Sequence, residues 1–287
     1  SMLIIPYVMP GFKLARKVYE ITQKVDWQKY QGMILLNHGI ISFGAEAHES
    51  YDKMIKAVTL AEKFLKKYSS MQKNKKKKAP ALNKDTLTTL ASIRKKVSII
   101  RGIPSLARLN NSSEAQFFSS LPNVKNISAR GPITSDHLIR TKPAPVYINQ
   151  KNAEKSIENF ASEYKAYFNR HTNRKQNRLD SAPRWGVWPE QGIVSFGRNQ
   201  DETDLISDIA MHTAKAIQRA ENINSANYRG WKPISENHIF EAEYWELQQA
   251  KLKTEFQSLE FEGKIAVVTG AASGIGLACA EHFSQLG

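Results

Sequence analysis

Apolar residues recur along the chain at two periods, and their alternation outlines a succession of helices and strands. Leu14, Val18, Ile21 and Val25 share one face at helical spacing in PGFKLARKVYEITQKV, a helix opened by Pro10 and Gly11. GMILL reads as a buried strand, and HGIISFG turns the chain. HESYDKMIKAVTLAEKFLKK then lines up Tyr51, Met54, Ile55, Val58, Ala61, Phe64 and Leu65 as an apolar stripe on a long helix. Further on, TLTTLASIRKKVSII predicts a helix that starts from an Asp85 cap and passes into a strand, while NAEKSIENFASEYKAYFNRH is strongly helical. A second strand, turn and helix follows in WGVWPEQGIVSFGRNQDETDLISDIAMHTAKAIQRAE. After the helical, aromatic connector FEAEYWELQQAKLKTEFQ comes an apolar strand at Ile265 to Thr269, a glycine turn and a helix.

The two strand-turn-helix stretches match at an offset of 191 minus 38, or 153, residues. Gly39, Ile40, Ser42, Phe43, Gly44, Glu49, Ala57 and Ala61 correspond to Gly192, Ile193, Ser195, Phe196, Gly197, Glu202, Ala210 and Ala214. Eight identities in register point to a duplicated α/β unit. The division expected is residues 2–70 for a first lobe, 71–81 for a basic linker, 82–222 for a second lobe, 223–260 for a connector and 261–287 for a final strand, turn and helix. A chain of 287 residues is long enough for two modest domains.

The net charge of +14 (41 minus 27) does not redirect this picture, because much of the excess is local. Lys63, Lys66, Lys67, Lys73 and the run Lys75 to Lys78 sit where the first long helix gives way to the linker, and like-charge runs of this kind stay solvated. No RNA-binding aromatic signature or zinc-finger spacing accompanies them, so nucleic acid is not an expected partner. There is no apolar run long enough for a membrane span and no signal-peptide order at the N-terminus; a cytoplasmic protein without membrane contact is expected. Cys279 is the one cysteine, which excludes an intramolecular disulfide.

Three places carry candidate chemistry. His38 stands at a strand end before Gly39, where an imidazole could ligate zinc, although a zinc centre needs three protein ligands. Its counterpart in the second copy is Gln191, a poor zinc ligand, so that lobe is read as structural. Asp136, His137, Arg140 and Lys142 in TSDHLIRTK form a possible anion-binding group, with a turn stapled by Asp136 and Arg140 as the alternative. Gly270, Ser273, Gly274, Ile275 and Gly276 make up TGAASGIG, a turn whose glycines permit close approach of backbone to a pyrophosphate at a helix N-terminus. His48 and His212 read as packing or surface residues, and His171 and His238 fit no ligand spacing.

TGAASGIG closely resembles the cofactor loop of short-chain dehydrogenases, which implies NAD or NADP. Only 11 residues follow Gly276 (287 minus 276), fewer than the ribose reader and the Ser, Tyr and Lys of that family require. PGFKLARKV, GMILLNHGIISFG and HESYDKMIKAVTLAEKFL are similar to the C-terminal half of a zinc-dependent class II aldolase of the aldolase/adducin family. That resemblance makes His38 the last of three zinc ligands; the His-x-His pair of the family occurs nowhere in the chain. Together the segments, with GPITSDHLIRTKPAPVYI, RLDSAPRWGVWPEQGIVSFG and FEAEYWELQQAKL between them, resemble the bifunctional family that joins a rhamnulose-1-phosphate aldolase to an alcohol dehydrogenase. The resemblance implies sugar-phosphate and aldehyde substrates, zinc and NAD or NADP in an intact homo-oligomeric enzyme. It also implies a truncated piece that holds neither cofactor and turns over neither substrate. The competing expectations are a non-catalytic adducin-like interaction or oligomerisation module with a basic linker, and a small zinc lyase.

Overall fold

A computed structural model describes residues 1–69, 82–223, 230–254 and 259–287. The basic stretch at 71–81, with Lys75 to Lys78, lies outside the described residues. Two sheets organise the chain. The first unit runs β1 (Met2–Ile5), α1 (Phe12–Thr22), β2 (Gly32–Leu35), β3 (Gly39–Ser42) and α2 (Ala47–Tyr68), with strand order β1-β2-β3. β1 is parallel to β2 and β3 antiparallel to it. Leu14, Val18 and Ile21 of α1 close over Ile5, Met33 and Leu35, which is the face read from the periodicity.

The second unit opens with α3 (Lys84–Arg101), β4 (Leu106–Asn110), α4 (Ser113–Ser119), α5 (Val124–Ser128) and α6 (Ser135–Thr141). It continues through β5 (Val146–Tyr147), α7 (Ala153–His171), β6 (Trp185–Trp188), β7 (Gly192–Gly197) and α8 (Gln200–Glu221) to α9 (Glu236–Glu243) and α10 (Glu246–Thr254). Its sheet has the order β4-β7-β6-β5, antiparallel except for β5 on β6. Alternate residues of β6 and β7 supply two cores, as a strand buried on both faces must. Trp188, Val194 and Phe196 pack with Ile93 and Val97 of α3 and Ile157 and Phe160 of α7. Trp185, Val187 and Ile193 meet Ala115 and Phe118 of α4, Val124 and Ile127 of α5, and Ile206, Ala210, Ala214 and Ile217 of α8. Phe240 of α9 joins the first of these cores, so the aromatic connector is part of the second unit's interior.

Three expectations are corrected. HGIISFG is not a simple turn: the chain reverses at Leu36 to His38, with Asn37 at φ 56°, and Gly39–Ser42 returns as a strand. The segment after residue 84 does not pass from helix into strand. Asn83, rather than Asp85, caps it through the Thr86 amide, and Gly102 in the left-handed region ends it, so α3 stays helical across the β-branched run at its end. Residues 265–269 form no strand; they are irregular, with Val267 91% exposed, because no neighbouring strand among the described residues offers ladder hydrogen bonds. The helix beyond, α11 (Gly274–Gln285), is present.

The two units share one geometry at the constant offset of 153. Shifted by that number, β2 becomes β6, α2 becomes α8 end to end, and the β2–β3 register Gly32↔Ser42 becomes Trp185↔Ser195. The left-handed Asn37 becomes Glu190, and the turn bond from the His38 amide to Leu35 O becomes that from the Gln191 amide to Trp188 O, each 3.1 Å. Glu49 accepts from the Ala45 amide as Glu202 accepts from the Arg198 amide, which accounts for a Gly and a Glu five residues apart in both copies. The two long helices finish side by side, Ser69 bridging to Ile223.

Candidate functional site

The hairpin turn of the first unit carries His38 on an exposed tip. Asn37 beside it faces Tyr7, Pro10 and Gly131 to Ser135, so the turn stands next to the start of α6, and the first two sequence-predicted sites are neighbours. Among the described residues no three His, Cys, Asp or Glu side chains are grouped to hold a metal. His38 is therefore one donor without companions, and the donors present do not make a zinc centre. In the second unit the same position holds Gln191, whose Oε1 accepts a bond from Thr86 Oγ1 of α3 at 3.4 Å, a structural tie between hairpin and helix.

The four residues of the possible anion site do not converge. Asp136 is exposed and paired with Lys251 Nζ at 2.7 Å, and that hydrogen bond holds its carboxyl below the ordinary range. His137 turns the other way and meets the edge of His212 of α8, ring centres 5.9 Å apart; burial, with the second ring, pushes its imidazole pKa down. Arg140 is half-buried in the same helix. Lys142 points inward, and this departs most from the sequence reading.

Lys142 sits at φ 62° just past the end of α6, a backbone conformation that swings its side chain into the interior. Its Nζ donates to Asp180 O at 2.6 Å and lies 3.7 Å from the centre of the Tyr164 ring. Burial, with the charge of Arg184 adding to it, brings the Lys142 ammonium down to about 7. Around it stand other buried ions. Arg184 grips Asp180 with two bonds, at 2.9 and 2.5 Å, and Arg101 reaches both oxygens of Glu202 at 3.0 and 3.1 Å. Burial alone would raise the Asp180 carboxyl, but Arg184, backed by Lys142 and Arg101, holds it far below the usual carboxylate range. Glu243 of α9 is pushed up by burial and accepts from Tyr164 Oη at 2.8 Å. Three cations and three carboxylates are thus gathered from five separate segments, and the sequence reading named only Lys142 among them as a candidate site residue. RLDSAPRWG, which holds Asp180 and Arg184, was the nearest sequence signal.

Beside this network opens a cavity of about 680 Å³, within the range of small-molecule sites, walled by Tyr147, Tyr164 and Tyr167 with Lys125, Arg170 and Glu236 at its polar side. Arg170 is tied to Glu236 at 2.5 Å, and His171 Nε2 lies 3.0 Å from the same carboxylate. Wall and network meet at Tyr164.

The glycine turn of TGAASGIG folds tightly. Gly270 takes φ 64°, and a Cβ on Gly276 would lie 2.4 Å from Gly270 O, so only glycine fits that close approach. Within α11 the first amide bonded back along the helix is that of Leu277, to Ser273 O, leaving the amides of Gly274, Ile275 and Gly276 free of helical partners. Ile275 is largely exposed. Turn and helix join the second unit through residues 261–263: Glu262 Oε1 accepts from Asn199 Nδ2 at 2.6 Å, and Phe261 packs on Phe283.

Residues 84–252 match the family described as aldolase class II, second domain. The chain is 27% identical, across 99% of its own length, to the uncharacterized oxidoreductase YuxG of Bacillus subtilis (strain 168). It spans 42% of the length of that relative. No solved structure matches it.

Proposed function

The chain belongs to the family of class II aldolase second domains, and on that premise we propose that it is the central part of a two-activity enzyme of sugar breakdown. One activity cleaves a ketose 1-phosphate such as rhamnulose 1-phosphate to dihydroxyacetone phosphate and lactaldehyde with the help of zinc. The other, of the short-chain dehydrogenase kind, moves a hydride between the aldehyde and NAD or NADP. The observation that carries this reading is one of arrangement: an aldolase second domain is followed, 18 residues beyond its end (270 minus 252), by the tight glycine turn of TGAASGIG on the same chain. A relative named as an oxidoreductase aligns across both.

In this reading the two lobes descend from one duplicated unit, as the constant offset of their strands, turn and caps supports. The first keeps His38 for metal, and the second uses Gln191 to fasten α3. The chain's own contribution to cofactor binding is the turn at Gly270 to Gly276, where the bare Gly276 admits backbone approach and the free amides of Gly274 to Gly276 receive phosphate oxygens. NAD or NADP, once bound, would supply the hydride acceptor. His38 offers a single imidazole, so zinc requires donors from outside the described residues. A homo-oligomer is part of the same proposal. The unburied apolar stripe of α2 favours a second reading, a non-catalytic adducin-like interaction or oligomerisation module.

The test is to express the complete protein from its gene and assay zinc content, rhamnulose 1-phosphate cleavage and lactaldehyde-dependent NAD(P) reduction. His38→Ala should abolish cleavage and release zinc while leaving hydride transfer intact, and Gly276→Val should do the reverse. Cleavage and zinc untouched by His38→Ala would sink the metal assignment; a complete protein inert in both assays would leave the module reading.

A further inference from the structure

The two equivalent hairpin-helix units are covered unequally. In the second unit β4 pairs with the outer edge of β7, from Leu106↔Gly197 to Asn110↔Ile193. Phe118 of α4 with Val124 and Ile127 of α5 then closes over Val187, Ile193, Ala210, Ala214 and Ile217. Subtracting 153 gives the counterparts in the first unit: Ile34, Ile40, Ala57, Ala61 and Phe64, with β3 in the place of β7. Here no described strand pairs with the outer edge of β3, and α2 buries no residue. The contrast holds at matched positions. Leu60 is 61% exposed where Thr213 is 4%, and Phe64 46% where Ile217 is 0%. A Cβ on Gly39 would meet open space, whereas one on Gly192 would lie 2.1 Å from Asn110 O of β4. An apolar, strand-edged face of this kind is the mark of an interaction surface.

We propose that this face seats a further segment of the longer protein, lying ahead of β1 in sequence. It runs antiparallel along β3 and then folds a short amphipathic helix over Ile34, Ile40, Ala57, Ala61 and Phe64. The second unit sets its place. β5 is the counterpart of β1, because Val146 pairs with Gly186 as Leu3 pairs with Met33, and β4 begins 146 minus 106, or 40, residues ahead of β5. Polypeptide beyond this chain exists in a protein of the relative's size, of which the chain spans 42%. A second copy is the poorer occupant, since its strand of the right pattern, β4, is already held by its own β7. The inference rests on the repeat geometry and stands apart from the sugar chemistry proposed above.

Leu60→Cys, in a Cys279→Ser background, places a single thiol on the face. Its reaction with a maleimide is compared in the 287-residue chain and in the same chain extended at the N-terminus by at least 62 residues of its own gene, the span from the start of α3 to β5 (146 minus 84). The extension should slow labelling by about tenfold or more, independently of protein concentration, as burial of an exposed site does. Hydrogen exchange of the Gly39–Ser42 amides, measured on the unsubstituted proteins, should slow in parallel and guards against a variant that misfolds. Equal labelling and exchange in both proteins would overturn the proposal. So would protection already present in the 287-residue chain and growing with its concentration, which would give the face to a second copy.

Discussion

The most consequential single residue is Lys142, an ammonium buried against an aromatic ring and a main-chain carbonyl. Its pKa falls from 10.5 to about 7 on folding, so between those values the unfolded chain holds a proton that the folded chain has lost. Unfolding free energy therefore rises with pH through this window, by at most about 1.4 kcal/mol per pH unit for one group. Below pH 7 both states are charged and the cost of burying the ion is borne in full. Urea unfolding at several pH values from neutral to mildly alkaline should show this rise in the parent chain and a flatter curve in Lys142→Met. Identical slopes would mean that the ammonium keeps its charge inside. None of this was legible in TSDHLIRTK, where Lys142 reads as one member of a possible anion-binding group. What turns it inward is the left-handed backbone at residue 142 together with partners from distant segments, and no local pattern encodes either.

At the scale of elements, most of the fold could be read from periodicity, and the failures have physical causes. α1 and α2 followed from apolar stripes, and α8 from its match to α2. The return strand β3 was hidden inside HGIISFG because glycines at both ends suggested a turn, yet Ile40, Ile41 and Phe43 are strand formers once β2 offers its hydrogen bonds. The strand foreseen at Ile265 to Thr269 fails for the converse reason, since its sequence is right and no partner strand among the described residues is in reach. His38 was visible as a candidate, and among the described residues it has no companion donors. The paired glycines offer a direct check on how context decides an element's fate. Gly192→Ala forces a Cβ against Asn110 O at φ 133° and should cost about 3 kcal/mol or more, whereas Gly39→Ala, in open space, should stay within about 0.5 kcal/mol. Comparable losses in chemical denaturation would break the equivalence of the two hairpins.

For the molecule as a whole, the second unit holds the larger cores, and the C-terminal turn and helix join it through residues 261–263. α11 buries no residue and leans on Phe261, which is fixed in turn where Gly263 fits tightly against the carbonyls of Arg198 and Pro104. Deleting residues 265–287 should leave the main urea transition unchanged in midpoint and slope, and a clear loss of stability would show that the tail carries more of the fold than its contacts indicate. The strand order of the larger sheet also imposes a sequence of events in time. The β2–β3 and β6–β7 hairpins join neighbours only a few residues apart, whereas Leu106 must wait for Gly197, 91 residues later (197 minus 106), before β4 has an edge to pair with. Closing so long a loop before its contacts reward it is the slow step of such topologies. During synthesis, β4 and the helices after it leave the ribosome long before their seat exists, and the second unit can complete its core only near the end of its own translation.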